Sequence, residues 1–183
     1  IQLNEQLLRL RGEAKYVDQI ERSVYNHLLG AQKPTADAWC YYTPLTGTKP
    51  YGSSTNCCLS SGPRGVALLP TMAVMASKDG PIINLFGSSR VTVPVGKGLV
   101  EIVQKTEYPL GEDIHITVNP KTGVAQFALK LRRPGWSVAY VVWLNGKIIA
   151  PSGDFDRAVK SNYVTITRRW KSGDRLLYKT DLP

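Results

Sequence analysis

Apolar residues recur at helical spacing over the first thirty positions and at alternate positions beyond residue 80, so the chain changes its structural period part-way along. Leu3, Leu7 and Leu10 make one stripe; after Gly12, Val17, Ile20, Val24 and Leu28 make a second at steps of three and four. This spacing predicts two amphipathic helices, the second closed by Gly30, where a left-handed cap carries no Cβ penalty. Residues 31–63 hold Pro34, Pro44, Pro50 and Pro63 among several Gly and Ser. They predict a long structured loop with one short extended piece at 39–42, and loops of that length in a compact domain usually carry function. Residues 66–76, rich in Ala, Leu and Met, predict a third, mostly buried helix that Pro70 either starts or kinks.

Beyond Gly80 the period is two. Segments 82–86, 90–95, 99–106, 113–118, 124–131, 139–144, 147–149, 163–168 and 175–179 are short runs rich in β-branched residues. Turn chemistry separates them. Asn119-Pro120-Lys121-Thr122-Gly123, Asn145-Gly146 and Ser172-Gly173-Asp174 read as hairpin links. Asn145-Gly146 is the strongest of them, because a type I′ turn needs positive φ at both central residues. The carboxyl half therefore predicts an antiparallel β-sandwich, jelly-roll-like in class, and the chain divides into a helical part at 1–80 and a sandwich at 81–183.

Composition narrows the function classes. A chain of 183 residues is one domain, or a large one with a small one. With 43% hydrophobic and 20% charged residues it is neither disordered, collagen-like nor a coiled coil. No apolar run approaches the ~20 residues of a membrane-spanning helix, so the protein reads as soluble, cytoplasmic or secreted, with no membrane partner. The first residue is Ile1, and a helix begins there with no capping residue ahead of it, which reads as a piece of a longer chain. The net charge of +9 would favour polyanions if it were clustered. Its densest points, Arg132 with Arg133 and Arg168, Arg169 with Lys171, fall in strand-like segments and read as solvated strand faces, so no nucleic-acid partner is expected. Glu101, Glu107, Glu112 and Asp113 read likewise as solvated carboxylates. His27 and His115 read as structural or surface residues, and Trp136, Trp143 and Trp170 as packing in the sandwich rather than sugar platforms.

The chemistry concentrates in Asn56-Cys57-Cys58-Leu59-Ser60-Ser61-Gly62-Pro63-Arg64-Gly65. Three cysteines are too few for a disulfide scaffold, and adjacent cysteines do not readily join, because an eight-membered ring strains the peptide between them. Cys57 and Cys58 are therefore expected to remain thiols. Two readings stand: thiolate ligands to zinc, which would keep the sulfur in its nucleophilic form, or two small residues packed under a helix. Cys40, between Trp39 and Tyr41, reads as a packing residue. Arg64 could orient a substrate carboxylate or hydroxyl, or clamp a helix start.

Taken together, the segment from Gly12 to Asn26, the string Trp39-Cys40-Tyr41-Tyr42-Thr43-Pro44-Leu45 and the Cys57-Cys58 block resemble the β-L-arabinofuranosidase family, glycoside hydrolase family 127. The resemblance continues through Leu131-Arg132-Arg133-Pro134-Gly135-Trp136, Trp143-Leu144-Asn145-Gly146 and Arg169-Trp170-Lys171-Ser172-Gly173-Asp174. It implies the terminal helices of an (α/α)6 barrel followed by a β-sandwich. It further implies a retaining glycosidase acting on an arabinofuranoside-containing glycan, in which a zinc-bound cysteine replaces the usual carboxylate nucleophile. By the resemblance Cys57 is the catalytic nucleophile and a zinc ligand, Cys58 a second zinc ligand, and Glu21 and Tyr41 contact the sugar in the −1 subsite. The family's remaining zinc ligands, a glutamate and a cysteine two residues apart, and its acid/base glutamate would lie upstream of Ile1, so the site in this chain is expected to be incomplete without that barrel segment. The alternative from a different class is a non-catalytic β-sandwich module that binds carbohydrate or a protein partner.

Overall fold

A computed structural model describes residues 1–51, 56–121, 126–151 and 162–181. They form two compact units, Ile1–Gly12 with Tyr16–Thr71, and Glu13–Lys15 with Met72–Pro183.

The first unit is helical. α1 spans Gln2–Arg11 and ends on Gly12, whose φ of 65° makes it the left-handed cap that accepts no side chain cheaply. α2 spans Ala14–Ser23 and runs on through a π-helical turn, Val24–Leu28, into α3, Leu29–Ala31. The helix thus passes through Gly30, which is not the cap expected. The second apolar stripe buries as its spacing predicts, with Val17, Ile20 and Val24 all in the core. The first does not: Leu3 and Leu10 stand exposed, while Leu8 and the carboxylate of Glu5 face inward. Glu5 tolerates burial because Arg9 donates to it at 2.9 and 3.2 Å and the Thr71 hydroxyl at 3.4 Å.

α4 spans Asn56–Ala67. The expected loop at 31–63 is therefore helical over its last stretch, in spite of Gly62 and Pro63; residues 52–55 of it lie outside the described residues. The predicted extended piece is confined to Trp39 and Cys40, which bridge to Gln32 and Tyr51. The helix expected at 66–76 breaks instead: α5 is Leu69–Ala73, and β1 takes Val74–Ser77. Pro70 starts α5, where its missing N–H would be unpaired anyway. Helix propensity loses at 74–77 because pairing with 80–83 satisfies those backbone groups and buries Val74.

The second unit is a sandwich of two sheets. The remaining strands are β2 Gly80–Ile83, β3 Ser89–Val95, β4 Gly98–Thr106, β5 Asp113–Pro120 and β6 Gln126–Arg133. β7 Tyr140–Leu144, β8 Lys147–Pro151, β9 Asn162–Arg169 and β10 Asp174–Thr180 complete it. One sheet has the order β1-β2-β6-β9, the other β3-β4-β5-β10-β7-β8. Pairing is antiparallel except between β2 and β6, which run parallel, so the sandwich is not wholly antiparallel as expected. Alternation fills the space between the sheets: Val100, Ile102, Ile114, Ile116, Val118, Leu176 and Tyr178 from one, Phe127, Leu129 and Leu131 from the other.

Asn145-Gly146 is the hairpin tip predicted, with φ of 48° and 83° between β7 and β8. The other two links are not hairpins. β5 and β6 lie in different sheets, as do β9 and β10, so neither pair forms a hairpin; residues 122–125, part of the first link and of the strand expected at 124–131, lie outside the described residues. Arg132 is also a correction. It is wholly buried rather than solvated, with Nε donating to the Asn84 carbonyl at 2.7 Å and its guanidinium 5.4 Å from the Phe86 ring centroid. Glu101 is no free carboxylate either: Asn119 donates to it at 3.0 Å and Arg90 lies at 3.1 Å, and these partners, with Lys121, hold its carboxyl below the usual range. Trp170 packs as expected, stacked on Phe127 with its N–H on the Phe127 carbonyl.

Two predictions come from this unit. Gly80 has φ of 142°, and a Cβ there would sit 2.1 Å from the Ala128 carbonyl oxygen. Gly80→Ala should cost about 3 kcal/mol or more, seen as a lower denaturant midpoint for loss of the β signal. Asp174 and Asp181 give the second. Burial raises both carboxyls, but hydrogen bonds outweigh it, from the Lys171 amide and Asn145 amide on Asp174, and from Ser137, Ala139 and Val138 on Asp181. Both folded values lie below the ordinary 3.8. The stability they confer is therefore full above about pH 4 to 5 and lost as pH falls through the folded values. Unfolding midpoints should drop between pH 5 and 3, and Asp181→Asn should flatten that slope while lowering the midpoint at pH 7.

Candidate active site

Cys57 and Cys58 occupy the first turn of α4, Cys57 exposed and Cys58 half-buried. Their sulfurs lie 3.8 Å apart and are not bonded to each other. The cysteines differ because successive residues turn 100° around a helix. Cys58, Gly62 and Val66 follow at steps of four and share one stripe, and Cys58 and Val66 pack on the buried cluster of Ala31, Trp39 and Cys40. Cys57 is carried off that stripe into the open.

Trp39 is the centre of the cluster. Its indole lies in the groove that Gly62 leaves by having no side chain: a Cβ there would meet Cε2, Cδ2 and Nε1 at 2.5, 2.7 and 2.7 Å. One turn on, Gly65 makes room for Leu28 in the same way at 3.1 Å. The Trp39 Nε1 hydrogen is buried with no acceptor among the described residues, a liability of about 1–3 kcal/mol that the ring's packing has to offset. The Cys40 amide donates to the Ala31 carbonyl at 2.8 Å, fixing the strand to the end of α3. Cys40 is buried, as a packing residue should be.

The outer face of α4 is polar. Ser60 and Ser61 hydroxyls donate to the Cys57 carbonyl at 3.2 and 2.7 Å, and Arg64 donates from Nε to the Ser60 carbonyl at 3.0 Å. Arg64 stands in the last turn of α4 rather than at a helix start, two turns from Cys57. A cleft lined by Ser23, His27, Leu28, Ser61, Arg64 and Leu68 runs along this face. Tyr41 follows the Trp39-Cys40 pair and is 66% exposed, open to a ligand. Glu21 sits on α2 and is 5% exposed, in the buried row of Val17, Ile20 and Val24. Among the four anticipated site residues the two sulfurs lie in direct contact.

Can this pair hold zinc? Two thiolates on a tetrahedral ion with Zn–S of about 2.3 Å stand about 3.8 Å apart. Cys57 and Cys58 have that separation, which is also sulfur–sulfur van der Waals contact, so their spacing is compatible with a shared ion. Partial burial, and then the Cys57 sulfur beside it, push the Cys58 thiol up, so loading a cation must displace its proton. No group of three or more His, Cys, Asp or Glu side chains gathers as a metal site among the described residues. A tetrahedral ion held by this pair would need two further ligands from outside it.

Residues 81–182 match the family model for the GH127 middle domain of β-L-arabinofuranosidase, and residues 1–71 match that for the GH127 catalytic domain. The chain belongs to glycoside hydrolase family 127. Solved GH127 structures share its fold. A GH127 β-L-arabinofuranosidase from Geobacillus stearothermophilus T6 is 24% identical with a TM-score of 0.82, covering 98% of this chain and 30% of its own. A protein described as a glycoside hydrolase is 26% identical at 0.82, over 98% of this chain and 31% of its own. A GH127 β-arabinofuranosidase is 28% identical at 0.80, over 97% and 30%. The chain spans about a third of the length of these structures. Among curated proteins none matches. The helices of the first unit are accordingly barrel-end helices of the GH127 catalytic domain, followed by the family's β-sandwich. No helix among the described residues is long and apolar enough to cross a membrane.

The sequence pattern alone missed α4 and the Trp39–Gly62 contact. The available signal was the four-residue step Cys58, Gly62, Val66, which Gly62-Pro63 masked by reading as a break.

The difference in exposure makes a direct prediction. Under native conditions a small alkylating reagent should label Cys57 at least about ten times faster than Cys58, and Cys40 only on unfolding. Fragment-ion mapping of the labelled peptide checks it; equal labelling of all three thiols would contradict the described orientation.

Proposed function

We propose that this chain is the part of a retaining β-L-arabinofuranosidase-type glycosidase that supplies the nucleophile, and that Cys57 is that nucleophile. The observation carrying the reading is an exposed Cys57 sulfur beside a half-buried Cys58 sulfur at 3.8 Å, at the start of a helix in a segment matching the GH127 catalytic domain. Cys57 and Cys58 would hold zinc, with a glutamate and a cysteine from the rest of the barrel completing the set. The ion's contribution is to keep the sulfur ionised at neutral pH.

The chain's own part in the chemistry is then a displacement at carbon. The Cys57 thiolate attacks the anomeric carbon, a C–S bond forms and the glycosidic C–O bond breaks, and the leaving oxygen takes a proton from a carboxylic acid outside this chain. Water then attacks the same carbon, gives its proton to that carboxylate, and the sulfur departs as thiolate, so configuration is retained after two inversions. Tyr41, exposed one residue beyond Cys40, would contact the sugar, as would Glu21 from α2. Leu3 and Leu10, exposed on α1, would find cover against the remaining barrel helices.

In a protein carrying the complete barrel, Cys57→Ser should keep the fold and lower turnover by about 10³-fold or more. Cys58→Ser should lower zinc occupancy first and activity as a consequence, and Cys40→Ser should cost stability more than rate. A cysteine-directed mechanism-based sugar analogue should label Cys57, as read by peptide mass mapping. Label on Cys40, or full activity in Cys57→Ser, would overturn the reading. By this reading the acid/base carboxylate, worth typically ~10²-fold or more, comes from outside residues 1–183, and these residues alone should hydrolyse aryl β-L-arabinofuranosides poorly.

A further inference from the structure

We propose that Trp39 is a positioning residue for the cysteine pair: its indole, seated in the groove at Gly62, sets the rotation of α4 that turns Cys58 inward and Cys57 outward. The proposal takes from the preceding section only that the two cysteines have different tasks.

The ring is held from one side and fitted from the other. On the chain side, Trp39 bridges to Gln32, and the next residue, Cys40, donates its amide to the Ala31 carbonyl and bridges to Tyr51. The ring is 7% exposed and packs with Ala31 and Cys40, against which Cys58, Val66 and Tyr51 also rest. On the helix side, a Cβ at 62 would come within 2.5–2.7 Å of three ring atoms, far inside the 3.5–4.0 Å of ordinary carbon contact. Only a helix with no side chain at that position, facing the ring along that line, can lie so close. A helix has one rotational degree of freedom about its axis, and this contact removes it. Once the Gly62 direction is fixed on Trp39, Cys58, four residues earlier, points the same way, and Cys57 points 100° around the axis. The indole N–H finds no acceptor among the described residues. Shape is what the position uses, and phenylalanine should retain most of it.

The experiment reads the ratio of alkylation rates at Cys57 and Cys58 by iodoacetamide under native conditions, with fragment-ion mapping and helix content followed by circular dichroism. In the unaltered chain the ratio should be about tenfold or more. Gly62→Ala, which pushes ring and helix apart, and Trp39→Ala, which empties the groove, should each reduce it to threefold or less at native helix content. Trp39→Phe should keep it within twofold of the starting value. Val66→Ala, which trims the same cluster without touching the groove, should also keep it. The proposal fails if folded Gly62→Ala retains the tenfold ratio, or if Val66→Ala collapses it as far as Gly62→Ala does, since the role would then be general core packing. If Trp39→Ala does not fold, Gly62→Ala and Trp39→Phe decide. No substrate enters this measurement, so turnover surviving in Cys57→Ser would defeat the assignment of Cys57 as nucleophile and leave this ratio as it stands.

Discussion

The helix that carries both cysteines depends on a side chain it does not have. Gly62 and Pro63 are poor residues for a helix interior: the first has entropy to lose, the second deprives the Leu59 carbonyl of its i+4 donor. α4 forms there because tertiary packing outweighs propensity, and the packing is the approach of Trp39 to a backbone without a Cβ. That one contact links the loop after α3 to the helix, brings Cys40 and Cys58 onto the same cluster, and leaves Cys57 outside it. Local instability and chemical differentiation have the same origin.

In the sandwich the comparable role falls to Asn84. Its amide nitrogen donates to the Met72 carbonyl, its backbone N–H to Ala73, its side-chain oxygen accepts from the Tyr163 hydroxyl, and its own carbonyl accepts from Arg132. Four polar groups of one buried residue thus tie the end of α5, β6 and β9 together. A buried amide so used specifies one arrangement, because any slip strands several partners at once. Tyr178 extends the network, donating its hydroxyl to the Arg132 carbonyl at 3.0 Å, and burial pushes that phenol's pKa far up, so it stays a donor.

The legible part of the sequence was the part in which structure is local. Strands β3, β4, β5, β7 and β10 follow from alternating Val, Ile and Leu within single segments, and the β7–β8 tip from the demand of its turn for positive φ. The cysteine pair was legible as chemistry because two adjacent thiols in an otherwise thiol-poor chain point to metal or nucleophile whatever the fold. What escaped was set at a distance. α4 needed Trp39 to explain its glycine, and β1 needed its partner β2 to overrule a helical composition. Arg132, alternating with Leu129 and Leu131, had every local mark of a solvated position, yet Asn84, 48 residues away, takes its Nε–H. The Leu3 and Leu10 stripe misled in the opposite sense, since periodicity reports that a face is apolar and not what lies against it.

The order of the six-stranded sheet leaves β3 and β8 as its two margins. A margin strand presents unpaired amides to any other chain that can lie alongside it. Here each margin contains a proline, Pro94 in β3 and Pro151 in β8, and each also carries a cation, Arg90 and Lys147. Proline offers no N–H for a further strand to bond, and Lys147 places a positive charge on the β8 margin, whereas Arg90 is paired with Glu101. Among the described residues these features disfavour further strand pairing at the margins of this sheet, even where its core residues are among the most strand-prone in the chain.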